Sequence, residues 1–433
     1  MIEAQTNPQE QAEPRIPEFV QTARDQLEEL DNWQQITEEE ARVVYEMTLR
    51  NELSGGTPTV REFERTWREL IGNKYAITTV NGTSAIYSAF FGAGVGPGDE
   101  VICPTFTWIG SIAPAVMLGA RPVFCESDPR TMMLDPEDVR RRITPQTRAI
   151  VAVHLWGWVC DMDALMEISA ETGVKVIEDC SHAHGAMYKG RMVGSMGHAA
   201  CWSMQGSKAM SAGEAGILTT NDAELFDRAC LVGQVNRIAG VDLAQDKYRY
   251  LQPLGLGFKF RAHPLGVGLA MVQMKKLPAL NERRGGYVAA VEAGLADIPG
   301  LEPVPTIPGA TRGGYYGFPV RYRPKELDGA PSRDAMIEAI NRAGVPATRC
   351  PYELLHRLPL YADGFDLYGD GRGPLSGDYP GYREGDLPVT EKLLDELIFL
   401  PVLSDPIPGA AELIVTALRN AADAIERAGG PRP

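Results

Sequence analysis

The chain reads as an α/β protein, with a large domain on a mainly parallel, doubly wound sheet and a smaller α+β domain at the C-terminal end. Three observations predict this. Short apolar strand segments alternate with helical ones from Tyr75 to about Ile177, the rhythm of βαβ units that build a parallel sheet with helices on both faces. A Pro-rich stretch with Pro303, Pro305 and Pro308 then breaks that rhythm. The length, 433 residues, is more than one hydrophobic core usually serves. The expected division is a lead over residues 1–36, a large domain over 37–299 and a small domain over 300–433.

Residues 1 to about 30 are rich in Gln, Glu and Pro and predict a loosely attached lead. A helix starts at Thr37 and runs to Leu49, with Thr37 and Glu40 spaced as a capping box. Ser54–Pro58 is a turn, and Val60, Phe63, Trp67, Leu70 and Ile71 mark one face of a second helix. Strands are expected at Tyr75–Thr79, around Val101 and Ile102, and at Arg121–Cys125, Ala149–Val153 and Val174–Ile177. Between them lie helices at Ser84–Phe91, Trp108–Leu118, Pro136–Arg142 and Asp161–Thr172. Two more strands, Ala199–Trp202 and Gly216–Thr219, flank a loop of small and polar residues. Past residue 300 the pattern predicts an extended run at Tyr315–Arg321, a helix at Ser332–Ala343 and a short strand at Val345–Cys350. Gly364–Asp386 is a Gly-, Asp- and Tyr-rich loop without periodicity, a kind usually functional or disordered. A closing helix from Pro408 to about Ala428 carries Ile414, Ala417, Leu418, Ala421 and Ile425 on one stripe.

The net charge of −15 argues against nucleic acid or an anionic membrane as partner. The start, Met-Ile-Glu-Ala-Gln-Thr, lacks the basic and apolar regions of a signal peptide, and no apolar run is long enough to span a bilayer. Seven cysteines are scattered without CxxC spacing, mostly beside strand segments. They are expected to be buried free thiols of a cytoplasmic protein.

Four stretches could carry chemistry. In the loop after Trp202, Lys208 is flanked by Ser207, Ala209, Met210 and Ser211. Such neighbours desolvate an amine and lower its pKa, and a lysine made neutral that way forms a Schiff base with an aldehyde cofactor. The bland alternative is a loop lysine that caps a carbonyl. Asn81-Gly-Thr-Ser-Ala85 ends a strand and opens a helix. There, backbone N–H groups and the hydroxyls of Thr83 and Ser84 make a phosphate cradle, or else Thr83 or Ser84 is a plain N-cap. Glu178-Asp-Cys-Ser-His182-Ala-His184 puts Asp179 at a strand's carboxyl end, where ligands of doubly wound sheets lie. A carboxylate there needs a partner, and the protonated nitrogen of a pyridine ring is one. A metal site from Cys180, His182 and His184 is the competing idea, but their spacing matches no zinc pattern. Trp108 follows another strand and either joins the core or offers a flat face to a ring. Gly92–Gly98 is glycine-rich but follows a helix and precedes a strand, the reverse of a dinucleotide fingerprint. It reads as a turn.

Together these runs resemble the DegT/DnrJ/EryC1/StrS family of sugar aminotransferases. The likeness rests on Asn81-Gly-Thr-Ser-Ala, Gly96-Pro-Gly-Asp-Glu-Val-Ile, Thr105-Phe-Thr-Trp, Gly119-Ala-Arg-Pro-Val-Phe, His154-Leu-Trp-Gly, Glu178-Asp, Ser203-Met-Gln-Gly-Ser-Lys and Gly213-Glu-Ala-Gly. The resemblance implies a fold-type I enzyme that uses pyridoxal 5'-phosphate. Lys208 would hold the cofactor and shuttle the proton, and Asp179 would keep the pyridine nitrogen protonated. Trp108 would stack on the ring with His182 near its phenolic oxygen, and Thr83, Ser84 and Ser203 would hold the phosphate. It also implies a homodimer with shared active sites, Lys259 of the partner copy standing where the family often has Asn. Ala215 replaces a common glycine, and Trp158 stands where the family is often polar; both bear on substrate choice. The run Arg349-Cys-Pro-Tyr-Glu-Leu-Leu-His356-Arg357 resembles members acting on inososes. The implied reaction moves an amino group from glutamine or glutamate to a keto-sugar or keto-cyclitol, in antibiotic or other secondary-metabolite biosynthesis. Two alternatives stay open: a sugar dehydratase, which in the family replaces the lysine by histidine, and a cofactor-binding homologue without turnover.

Overall fold

The structure is a computed structural model and describes residues 25, 27–237, 243–327 and 329–429. Its centre is a sheet of seven strands: β1 (Tyr75–Thr79), β2 (Glu100–Pro104), β3 (Arg121–Cys125), β4 (Thr147–Val153), β5 (Lys175–Asp179), β8 (Ala199–Ser203) and β9 (Gly216–Thr220). The order across the sheet is β1-β9-β8-β5-β4-β2-β3. Strands β3, β2, β4, β5 and β8 pair in parallel, whereas β9 runs antiparallel to both its neighbours. Runs such as Ala149-Ile-Val-Ala-Val153 and Ala199-Ala-Cys-Trp202 are buried throughout, as strands covered on both faces require. The class is α/β, as the alternation predicts. All seven cysteines are free, and six are buried.

Two short pairs, β6 (Met187–Tyr188) with β7 (Arg191–Met192) and β6 with β11 (Ala310–Thr311), form a small separate sheet. A third, antiparallel sheet joins β10 (Leu301–Pro303), β12 (Phe318–Tyr322) and β13 (Leu397–Leu400). It packs with the helices Arg333–Arg342 and Ala410–Gly429 around a second apolar cluster that holds Phe318, Val320, Met336, Ile340, Ile398 and Leu418. One helix of 32 residues, Pro264–Leu295, serves both clusters. Its Val267 and Ala270 enter the first, and Tyr287, Val288, Val291 and Leu295 enter the second. Residues Leu354, Tyr361, Leu375, Leu387 and Leu393 pack into the first cluster, beside the seven-stranded sheet.

Several elements differ from expectation for identifiable reasons. The expected helix Trp108–Leu118 is a 3-10 turn, Ile109–Ser111, and a short helix, Ala113–Met117. Pro114 lacks an N–H and disfavours helical backbone before it, so the chain restarts there. Val345–Cys350 forms no strand and meets Phe399 only through a bridge at Thr348. The closing helix begins at Ala410, past the proline. The 364–386 loop is anchored to the sheet edge, where Tyr382 Oη accepts the Phe124 N–H at 3.0 Å and Asp378 pairs with Arg121.

Of the lead, residues 1–24 and 26 lie outside the described residues. Asp31 is tied in: its carboxylate accepts the backbone N–H groups of Trp33, Ser404 and Asp405. The capping box at Thr37 forms as its spacing predicts. Glu40 is fully buried and also accepts from Gln273 at 2.7 Å and Lys276 at 2.6 Å. Burial raises its pKa, but the hydrogen bonds from Lys276 and Thr37 outweigh that and hold the carboxyl at about 2. Among the described residues, no helix is long and apolar enough to cross a membrane.

Candidate active site

The carboxyl ends of β1, β2, β5 and β8 open onto one cavity of about 480 Å³. Thr83, Trp108, Asp179, His182, Ser203 and Lys208 all line it. These six come from strand ends and the segments that follow them, between positions 83 and 208, and the parallel sheet gathers them at one edge.

The helix Gly82–Gly92 starts at the cavity floor. Its N-cap is neither Thr83 nor Ser84 but Asn81, whose Oδ1 accepts the Ser84 N–H at 2.8 Å. Ser84 itself is not among the lining residues. The helix start is drawn so close to β8 that a Cβ on Gly82 would lie 2.8 Å from Ser203 Cβ. Only glycine permits that approach.

Asp179 ends β5 and is 5% exposed. Its Oδ2 accepts from Ser111 Oγ at 2.7 Å and its Oδ1 from the Ser181 N–H at 3.1 Å, which fixes the carboxylate's direction. Lys208 sits in the loop between β8 and β9, held where the Met204 N–H donates to Ala215 O and Gln35 Nε2 to Gly206 O. Burial lowers the Lys208 pKa to about 8, against the opposing pull of Asp179. Its Nζ lies over the Tyr316 ring, 3.7 Å from the centroid.

His182 stacks on the other partner of that contact, Tyr316, with centroids 4.2 Å apart and planes 23° from parallel. Burial, and then the charge of Lys208, push the His182 pKa well below its usual range. Its Nδ1 accepts the Trp156 N–H at 3.3 Å, so a neutral ring carries its proton on Nε2. The segment that delivers Tyr316 lies tight against this loop. Gly314 has φ +74°, and a Cβ there would meet His182 O at 2.5 Å. Tyr316 Oη and Ser207 Oγ form a hydrogen bond of 2.8 Å. Tyr352 stacks on Trp156 at 5.7 Å and leans on Trp108 at 5.8 Å. Trp108 is 58% exposed, so it forms a wall of the mouth.

Lys259 is exposed and stands outside this cavity, its backbone bridged to Gln234. Cys180, His182 and His184 do not converge. Cys180 lies with His154 and Glu178, while His182 faces Tyr316. His184 is buried, with no hydrogen-bond partner for either ring nitrogen among the described residues, and burial pushes its pKa to about 3. The Glu178 carboxylate accepts the N–H groups of Gly194, Met196 and Gly197 and the Nε2 of His154, so it serves as a structural clasp under β5. Sequence reasoning missed Ser111, Tyr316 and Ser207 as site residues. Tyr352 lay inside the 349–357 run singled out by resemblance, and the aromatic-glycine string Gly313-Gly-Tyr-Tyr-Gly317 was the available sign for Tyr316.

The family model of the DegT/DnrJ/EryC1/StrS aminotransferase family matches residues 34–419. A Streptoalloteichus tenebrarius protein, provisionally assigned as an L-glutamine:3-amino-2,3-dideoxy-scyllo-inosose aminotransferase, is 33% identical over 86% of this chain and 90% of its own. GDP-perosamine synthase of Caulobacter vibrioides is 34% identical over 70% of this chain and 78% of its own. The crystal structure of S. venezuelae DesV in complex with a ketimine intermediate superposes with a TM-score of 0.75 at 27% identity, over 95% of this chain and 99% of that one. The chain belongs to the DegT/DnrJ/EryC1/StrS aminotransferase family.

Proposed function

We propose that this aminotransferase uses pyridoxal 5'-phosphate to move the amino group of glutamine or glutamate onto a keto-sugar or keto-cyclitol in secondary-metabolite biosynthesis. One observation carries the cofactor reading: a buried lysine with its pKa drawn to about 8 shares a cavity with a fixed carboxylate and a helix N-terminus. That donor set suits a phosphorylated pyridine aldehyde. The amine takes the aldehyde, the carboxylate takes the ring N–H, and the helix start takes the phosphate. When bound, the cofactor supplies an electron sink for breaking and making bonds at the amino-bearing carbon.

The chain's own residues do the rest. Lys208 holds and then moves the proton at that carbon. Asp179, oriented by Ser111 and Ser181, holds the proton on the ring nitrogen. Thr83, Ser203 and the Gly82 end of the helix bind the phosphate, while Ser84, outside the cavity with its N–H on Asn81, sets the helix start. Trp108 and His182 flank the ring, and Tyr316 covers the Lys208 amine from the side of segment 300–433, the small domain of the proposed division at residues 299 and 300. Lys259 serves the site of the partner subunit in a homodimer. Exposed Tyr250, Leu254, Leu256 and Phe258 beside it support such an interface. The free cysteines, six of them buried, support a cytoplasmic location. The acceptor class is supported by the two relatives, one assigned to an inosose and one to a GDP-sugar.

The test is the visible spectrum of purified protein with added pyridoxal phosphate, for wild type and Lys208→Ala, followed by transfer of α-¹⁵N from L-glutamine to a panel of keto-sugars and inososes. A visible band that glutamine bleaches, that Lys208→Ala lacks, and that leads to labelled product is the expected result. A wild-type band that no amino acid alters overturns transamination, and no band overturns the cofactor.

A further inference from the structure

A second cavity, of about 440 Å³, adjoins the first. The two share Ser207, Tyr316 and Tyr352 as walls, so the hydroxyl pair of Ser207 and Tyr316 stands between them. Most of the second cavity's lining is aromatic or apolar, including Trp156, Tyr315, Phe399 and Val402. One cation lines it: Arg284, from the long helix.

Arg284 is 8% exposed, yet its contacts are to neutral groups. Nη1 donates to Gly314 O at 2.9 Å, and Nε and Nη2 donate to Ser404 Oγ at 3.0 and 2.5 Å. Those bonds occupy three of its five N–H hydrogens. Among the described residues no carboxylate lies within 4 Å of it. Asp31 acts on it electrostatically, but its carboxylate is taken by three backbone N–H groups. Asp405 pairs with Arg283 instead, at 2.8 Å. Burial draws the Arg284 pKa down to about 10. A buried guanidinium that pairs directly with no carboxylate is costly, and the cost is offset further when a ligand brings an anion into contact.

We propose that Arg284 is the receptor for the α-carboxylate of the amino donor, bound in the second cavity with its amine directed past Ser207 and Tyr316 toward Lys208. The inference rests on the transamination proposed above. A guanidinium fork matches a planar carboxylate through two parallel N–H···O bonds. The phosphate has its own helix N-terminus across the first cavity, and a free keto-sugar or cyclitol offers no charge for Arg284 to meet; the diphosphate of a nucleotide-linked acceptor would, and the separate acceptor KM distinguishes that case. The aromatic walls then accommodate the donor's short methylene chain. Glutamine and glutamate carry the same α-carboxylate, so the site serves either.

The experiment compares wild type, Arg284→Lys and Arg284→Gln, loaded with pyridoxal phosphate. Dissociation constants are measured by calorimetric titration for L-glutamine and for 4-aminobutanamide, which is glutamine without its carboxylate, and KM is measured for donor and acceptor separately. Loss of a charge-assisted fork weakens glutamine by about 10- to 100-fold in Arg284→Gln. Arg284→Lys, which keeps the charge without the fork, falls between. The 4-aminobutanamide affinity and the acceptor KM stay at wild-type values. Arg284 also holds the Gly314 carbonyl, and a purely structural role would move donor and acceptor KM together; that result overturns the assignment. So does a wild type that holds glutamine no more tightly than 4-aminobutanamide. If Arg284→Gln fails to fold, the donor-against-acceptor split in Arg284→Lys decides alone. A wild type that transfers nitrogen from no amino acid overturns the proposed reaction and this assignment together, whereas transfer with unchanged glutamine binding in both variants overturns only the role of Arg284.

Discussion

Lys208 lies under two opposed influences, burial that favours the neutral amine and the Asp179 carboxylate that favours the ammonium, and burial prevails. Because only the neutral amine attacks an aldehyde, the rate at which cofactor-free protein captures pyridoxal phosphate should rise with pH up to about 8 and level above it. Stopped-flow absorbance measures this, and a rate flat between pH 6 and 9 contradicts it. The same shift has a stability consequence. The folded pKa lies below the ordinary lysine value of 10.5, so the unfolded chain binds more protons between the two. The cost of burying Lys208 is therefore full below about pH 8 and fades as pH rises toward 10.5. Lys208→Met should stabilise the cofactor-free protein in urea at pH 7, by about 1 kcal/mol, and by less at pH 10. At this scale the site was half legible. Asp179 stands at the end of a readable strand and Lys208 in the loop between two others, among residues that alter their chemistry. Ser111 and Tyr316 become site residues only through distant packing, which no local pattern encodes.

Among the elements, the helix Pro264–Leu295 governs how the site is assembled. Its Asn281 donates from Nδ2 to His184 O at 2.8 Å and accepts the Gly314 N–H at 2.9 Å, clasping the two loops that carry His182 and Tyr316. Asn281→Leu leaves a carbonyl and an N–H unpaired, so it should cost about 2–4 kcal/mol in urea unfolding. Tyr316 should also shift off Lys208, which raises the pH at which cofactor capture levels, since a wetter amine regains its ordinary basicity. A variant with wild-type stability contradicts the clasp. This helix went unread in the sequence. Its buried residues circle the rod (Val267, Gly268, Ala270, Val272, Gln273, Met274), and Pro278 with several glycines mimics a loop. The strands were read because their apolar runs are short and bounded by turn residues. The Trp108–Leu118 helix was overread because apolar spacing was weighed ahead of Pro114.

For the whole molecule, the exposed side chains of Tyr250, Leu254, Leu256 and Phe258 predict self-association. Leu256→Asp with Phe258→Asp should yield a monomer in sedimentation that binds pyridoxal phosphate more weakly, since in the proposed dimer each site would then lack its neighbour's Lys259. A double variant that stays dimeric and fully active removes the interface from this surface. A doubly wound α/β sheet was legible from rhythm alone. The reversed β9 was not, because a strand's direction leaves no mark on its composition. Yet β9 decides when two of the cavity's walls can meet. β1 ends at the start of the helix Gly82–Gly92, and its neighbour in the sheet is β9, some 140 residues downstream. During synthesis the Gly82 helix start has no place beside the Lys208 loop until Gly216–Thr220 has emerged and paired with both β1 and β8.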